Sequence, residues 1–389
     1  MNTTALYFDY AATTPVDERV ISVMVDCLGM SGNFGNPASS GHAFGQQARL
    51  AVEQARAQVA GLVGTQASQI VWTSGATESN NLAIKGVAQA RGRRARGHII
   101  TSRIEHKAVL DTVQQLEEAG FEVTWLEPDT DGLITVDAVR TALRADTFLV
   151  SLMVVNNELG TVTDIAAVGR LVREHGALFH VDAAQGAGKM PIDLAGLAVD
   201  LMSLSAHKIY GPKGIGALYV GPRAEQRVQA QIHGGGHESG LRSGTLATHQ
   251  IAGMGAAFEL AAQSLPLETA HLARLNARLR EHLAQIPGVN VNGCPGSRIP
   301  HTLNLTFSAG DLDLGLLGKG LAFSSTSACN SAKNAPSHVL LALGHSAAAA
   351  AQTIRLSMGR YTTEADIDRA ATLIRSAIKA RPFWAVAQS

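Results

Sequence analysis

Between residues 40 and 220, short unbroken apolar runs alternate with longer stretches whose apolar positions recur at helical spacing. The short runs predict strands at 70–73, 98–102, 122–126, 147–155, 178–181 and 201–205, with 215–220 as one more behind Gly211-Pro-Lys-Gly214. The longer stretches predict helices at 45–64, 79–91, 107–120, 135–144 and 165–175. Runs of Val, Ile and Leu without polar alternation fit strands buried on both faces. Their regular exchange with helices argues for a mostly parallel sheet with crossover helices. The last third reads differently. Residues 252–286 are helical in pattern nearly throughout, 288–307 and 322–325 suggest short strands, and 337–343, 347–354 and 364–380 look helical. That pattern predicts a second, smaller α+β domain.

Composition narrows the class. The 389 residues suffice for two domains. A hydrophobic fraction of 46% and a charged fraction of 16% fit an ordinary globular protein. A formal net charge of +0 argues against a broad nucleic-acid or membrane footprint. No apolar stretch approaches the ~18 residues of a membrane span. The one basic run, Arg91-Gly-Arg93-Arg94-Ala-Arg96, reads as a solvated connection. Three widely spaced cysteines, Cys27, Cys294 and Cys329, make neither a disulfide framework nor a metal-ligand set. The first residues carry no basic and apolar leader pattern, so the expectation is a cytoplasmic protein without a metal.

Polar residues collect where the strands end, the side on which open α/β sheets bind ligands. Asp182 closes one strand, and Lys208 follows another, 208 − 182 = 26 residues on. That pair suits pyridoxal phosphate. A lysine amine condenses with the aldehyde, and a carboxylate keeps the pyridine nitrogen protonated so that the ring takes up electrons. Ser74-Gly75-Ala76-Thr77-Glu78 opens a helix after a strand, which suits either the cofactor phosphate or a plain helix cap. His106, at another strand end, fits a stacking and proton-moving role or a structural one. Asn156-Asn157-Glu158 fits the same rim or a turn. The glycine-rich stretch from His233 to Thr245 reads as a loop or a second phosphate-binding segment. Arg355, in an apolar frame, suits a carboxylate clamp or an internal ion pair. Cys329 lies in the small, polar run Ser324-Ser-Thr-Ser-Ala-Cys329-Asn, a setting for a reactive thiol on a mobile segment over 322–336. Cys27 and Cys294 read as inert.

Taken together, Tyr7-Phe-Asp-Tyr-Ala-Ala-Thr-Thr-Pro15, Gly35-Asn-Pro37, Thr73-Ser-Gly-Ala-Thr-Glu-Ser79, Glu105-His106, Val155-Asn-Asn157-Glu158, His180-Val-Asp182, Ser205-Ala-His207-Lys208, His233-Gly-Gly-Gly236, Arg242-Ser-Gly-Thr245 and Ser327-Ala-Cys329 resemble the cysteine desulfurases, class V relatives of the fold-type I pyridoxal-phosphate enzymes. The likeness is nearest to the group serving iron–sulfur cluster assembly, including nitrogenase-associated members. It implies a seven-stranded, mainly parallel large domain over 15–255. It also implies a small domain built from 1–14 and 256–389 that carries the cysteine loop. It further implies that Lys208 anchors the cofactor covalently and acts as base on the substrate α-carbon. Asp182 would meet the ring nitrogen, Gln185 the ring hydroxyl, and His106 would stack on the ring and shuttle protons. Gly75, Ala76, Thr77, Ser205 and His207 would surround the phosphate, with Thr245 reaching it from the other subunit of a homodimer. Asn157 and Arg355 would bind the carboxylate of L-cysteine. Cys329 would take the sulfur as a persulfide, leaving alanine, and pass it to a protein acceptor such as a cluster scaffold or a thiolation carrier. Ala184, Ala206 and Asn330 depart from the residues relatives often carry. Two rivals use the same residues differently: a class V aminotransferase or selenocysteine lyase, for which Cys329 is dispensable, and a binding subunit without catalysis.

Overall fold

A computed structural model describes residues 5–92, 96–325 and 336–380. The chain opens with a two-residue strand, β1 (Leu6–Tyr7), whose partner comes from far along the sequence. The next seven strands form one sheet: β2 (Ile70–Thr73), β3 (His98–Ser102), β4 (Glu122–Leu126), β5 (Thr147–Met153), β6 (Leu178–Asp182), β7 (Leu201–Ser205) and β8 (Gly216–Val220). Their order is β2-β8-β7-β6-β5-β3-β4. All neighbouring pairs are parallel except those made by β8, which runs against both β2 and β7. The carboxyl ends of β2, β3, β5, β6 and β7 therefore open on one side.

Two helical layers explain why these strands carry apolar residues on both faces. Trp72, Ile100, Leu152, Val181 and Leu204 face helices α2 (Ala43–Leu62), α5 (Val136–Ala142) and α6 (Ile165–His175). Val71, Ile99, Leu149, Leu178 and Leu218 face α3 (Ala76–Ala90) and α4 (Lys107–Glu118). The second face also carries polar residues that satisfy one another. His180 on β6 meets Ser151 Oγ on β5 at 2.8 Å and Ser203 Oγ on β7 at 2.9 Å. Burial pushes this imidazole down to about 4, so it stays neutral near neutral pH. The row lies one pleat below Asp182, on the same face.

A second core gathers the chain's two ends. β9 (Val289–Asn292), β10 (Thr302–Phe307), β13 (Ser324–Ser325) and β14 (Thr353–Ser357) form an antiparallel sheet in the order β13-β14-β10-β9. β1 pairs in parallel with β12 (Leu321–Ala322), and Leu6 and Phe8 pack with Leu303, Leu305, Ile354 and Leu356. Helix α11 (Glu364–Ala377) covers this core through Ile367, Ala370 and Ile374. Helix α7 (Thr248–Ala284) connects the two regions. Its Ile251 and Phe258 sit in the first core, and its Leu272, Leu275 and Leu279 in the second.

Three expectations change. Residues 347–354 are not one helix. The alanine run makes a short helix over Ala347–Ala351, and Thr353–Ser357 is the second strand of the small sheet. The alternation that decides this is Thr-Ile-Arg-Leu-Ser, with Ile354 and Leu356 in the core and Arg355 on the other face. Residues 378–380 likewise leave the helix to pair with Gly310–Leu312. A helix over Glu18–Val25, capped by the Asp17 carboxylate at Arg19 N, is present though the pattern did not predict it. Among the described residues, no helix is long and apolar enough to cross a membrane.

Candidate active site

Strand ends and the loops that follow them enclose a cavity of about 640 Å³. Asp182, the last residue of β6, is buried there. Its Oδ2 accepts from Asn80 Nδ2 at 2.8 Å and its Oδ1 from the Ala184 N–H at 2.9 Å. Both donors fix the direction in which the carboxyl group faces the cavity. Asn80 comes from α3, one turn after Ala76, so the helix that begins at the cavity also orients its acid.

Lys208 enters from the turn after β7. The turn is pinned by Thr14, whose hydroxyl donates to His207 O at 3.0 Å and accepts from the Tyr210 N–H at 2.7 Å. Tyr210 holds φ at 67°, an uncommon conformation for a non-glycine residue. Burial pushes the Lys208 amine down to about 8; Asp182 opposes this and Arg355 adds to it. Among the described residues, no carboxylate forms an ion pair with it. His106 stands in the cavity wall as the N-cap of α4, its Nδ1 accepting from the Ala108 N–H at 3.1 Å. The proton of the neutral ring is therefore on Nε2. Desolvation first, then the Lys208 charge, lowers its pKa.

The two readings of Ser74 to Glu78 can now be separated. The N-cap of α3 is Gly75, and no side chain caps it. Glu78 accepts from the Ser74 N–H at 2.8 Å, outside the helix. The first amides of a fifteen-residue helix are thus left to a ligand at its positive end. Gly75 holds φ at 153°, and Gly216 of β8 lies against its backbone. Nearby, Ser205 Oγ is buried without a partner among the described residues. His207 shares Nδ1 with Thr13 Oγ1 at 3.2 Å, and burial followed by the Lys208 charge holds its ring down at about 4.

Arg355 makes the internal ion pair of its two readings and also lines the cavity. Its Nη2 pairs with Asp9 Oδ1 at 2.9 Å and donates to Ser324 Oγ at 2.7 Å, while Nη1 donates to Asn157 O at 2.8 Å. Its Nε is buried and has no partner among the described residues, and the side chain lines the cavity.

Gly75, Ala76, Thr77, His106, Asn157, Asp182, Gln185, Ser205, His207, Lys208 and Arg355 all line this one cavity. Thr245 does not. Cys329 lies outside the described residues, as do Arg93 and Arg94 of the basic run. Sequence reasoning missed Asn80, Ser337 and His338. Ser337 Oγ donates to Glu158 Oε2, and His338 Nε2 meets Glu105 O at 2.9 Å. The one signal for the last two is Ser-His before an apolar Val-Leu-Leu, an N-cap pattern. Glu105, beside His106, is buried and pushed up to about 8 by burial, so its carboxyl is protonated near neutral pH.

A lysine amine, a buried acid and a helix N-terminus without a side-chain cap, all at the carboxyl ends of the strands, define an α/β enzyme built to hold a phosphorylated, electron-accepting ligand. The chain belongs to the aminotransferase class-V family, whose model matches residues 6–370. It is 56% identical over 384 residues to the cysteine desulfurase IscS of Azotobacter vinelandii, covering 97% of this chain and 95% of that protein. Among solved structures it resembles a NifS-like protein, with a TM-score of 0.88 and 37% identity over 96% of this chain and 98% of that one. It also resembles SspA in complex with cysteine, with a TM-score of 0.81 and 41% identity over 92% and 99% of the two chains.

Proposed function

We propose that this chain is a pyridoxal-phosphate-dependent cysteine desulfurase that converts L-cysteine to L-alanine and passes the sulfur on as a persulfide. The observation that carries the reading is the Lys208 amine, half-buried and lining the same cavity as the doubly hydrogen-bonded Asp182. The residues fit the cofactor. The orphaned Ser205 hydroxyl and the uncapped α3 amides suit its phosphate, with Thr77 and His207 beside them. Asp182 suits its ring nitrogen, Gln185 its ring oxygen and Lys208 its aldehyde. When bound, the cofactor supplies an electron sink that lets the bond between carbon and sulfur break.

The chain's own residues do the rest. Arg355, with its free Nε, and Asn157 orient the substrate carboxylate. Burial pushes the Lys208 amine down to about 8, which suits it to take the α-proton. His106, neutral and protonated on Nε2, faces the cavity and moves protons between substrate and solvent. The Cys329 thiolate takes the sulfur, so that alanine leaves and Cys329 carries the persulfide to a protein acceptor, either a cluster scaffold or a thiolation carrier.

Thr245 lies off this cavity, which suits a residue that completes the phosphate site of a second copy. Ile21, Val25, Leu28, Met30, Phe34 and Phe44 leave an exposed apolar stretch for the homodimer this requires. A cytoplasmic location suits a free thiol that must stay reduced.

Mass spectrometry after incubation with cysteine tests the reading. A 32-Da-class sulfur adduct on Cys329 is expected, absent in Cys329→Ala, together with alanine in the supernatant. A sulfur adduct elsewhere, or undiminished sulfide release by Cys329→Ala, would sink it.

A further inference from the structure

Behind the cavity lies a second lysine that the mechanism above does not use. Lys189 is buried, and its Nζ donates to Gln185 Oε1 at 2.6 Å. The two residues are one turn apart, brought together by a tight helical turn in which Ala187 N bonds Ala183 O and Met190 N bonds Gly186 O. Gln185 Nε2 in turn donates to Ala11 O at 2.8 Å.

These two bonds decide which way the amide points. Turned over, the Gln185 carbonyl would face the Ala11 carbonyl, and its NH₂ would face the Lys189 amine. Both hydrogen bonds would be lost, each in a buried setting where an unmade bond is expensive. In the observed orientation the carbonyl oxygen is engaged by Lys189. The second hydrogen of Nε2 is the polar group left for the cavity that Gln185 lines.

We propose that Lys189 is a positioning residue that fixes the Gln185 amide so that an N–H, and not a carbonyl, is presented to the ring oxygen of the bound cofactor. The assignment rests on the cofactor reading given above. A donor at that oxygen stabilises its anionic form and so lowers the pH at which the neighbouring nitrogen loses its proton. An amide free to turn would present its acceptor part of the time and raise that pH.

A buried lysine with no ion-paired carboxylate among the described residues is uncommon enough to need such a reason. Its charged surroundings are Lys208 and Arg355, of the same sign, Glu268, of opposite sign, and the His207 and His301 rings that feel its charge. Burial, then Lys208, pushes its amine down to about 7. Neutral or charged, the amine still donates to Gln185.

The test is the pH titration of the visible absorbance of the cofactor-loaded protein, which reads the ring and not turnover. Lys189→Met should move the midpoint upward by about one unit, the order expected for losing one hydrogen bond to a charged oxygen. Gln185→Ala should move it the same way, and adding Lys189→Met to Gln185→Ala should move it no further. Equal shifts from Lys189→Met in both backgrounds would show direct action of its charge on Lys208 and overturn the proposal, as would no shift in either. Should Lys189→Met fail to fold, Lys189→Gln, with a donor on a shorter arm, carries the same comparison. Wild-type protein that takes up no pyridoxal phosphate sinks the cofactor reading itself. Uptake with an unmoved midpoint sinks only the role of Lys189.

Discussion

Only a neutral amine condenses with an aldehyde, so under the proposed role of Lys208 its lowered pKa would govern when the cofactor is taken up. The group is protonated below about 8 and neutral above it. Uptake of pyridoxal phosphate by the cofactor-free protein should therefore quicken as pH rises through 8 and level off beyond, followed by stopped-flow absorbance. A rate flat across that point would contradict the burial argument. Asn80 acts one shell further out, on the Asp182 carboxylate. Asn80→Ala removes one of two donors to a buried charge, a bond worth ~1.5–3 kcal/mol, and should weaken cofactor binding about tenfold to hundredfold in a spectroscopic titration. The sequence showed Lys208, Asp182, His106 and Arg355 because each stands at or beside an apolar run, where a polar residue is conspicuous. It did not show Asn80 or Lys189. Their roles come from a helix crossing a sheet and from a turn of four residues, and nothing in their immediate neighbours marks them.

At the scale of elements, the strand and helix pattern of the large sheet was legible because central strands must be apolar on both faces. β14 was not. Its apolar–polar alternation follows directly on an alanine-rich helix, and helical composition masked the change of period. The error matters because β14 carries Arg355 to the cavity. A second feature invisible in sequence is the contact between β8 and the loop after β2. A Cβ on Gly216 would meet Gly75 Cα and Leu204 O, each at 2.6 Å. Gly216→Ala should push the α3 N-terminus away from the cavity. We expect a loss of about 1–3 kcal/mol in urea denaturation, with weaker cofactor binding measured on the still-folded fraction. Unchanged affinity would mean that the helix end does not hold the phosphate.

At the scale of the molecule, a half-buried cluster joins the small region to the large one. The Arg360 guanidinium bonds Asp17 Oδ2 at 2.7 Å and Glu268 Oε2 at 3.0 Å, and lies over the Tyr210 ring at 4.1 Å. Arg360→Ala leaves two carboxylates short of their cation. Because Arg19 also pairs with Asp17, the expected cost is about 2–3 kcal/mol rather than the full penalty of a broken buried pair. The Arg19 bond, with the Arg360 charge, holds the Asp17 carboxyl well below the usual carboxylate range. A lowered carboxylate stabilises the fold above its unfolded pKa of ~4 and ceases to as pH falls. The difference between wild type and Arg360→Ala should therefore shrink in acid, and denaturation curves at several pH values check this. The return of the chain's beginning to its last third was suggested by family likeness, not by periodicity, since a two-residue strand has no pattern of its own. That return has a consequence for biosynthesis. β1 meets its partner 321 − 6 = 315 residues later. On a ribosome adding ~5–20 residues per second, Leu6 and Phe8 wait roughly 15–60 s, oily and unmatched, before the strand they need has emerged. Until that strand emerges, both side chains are exposed on the growing chain, a condition that favours aggregation over folding.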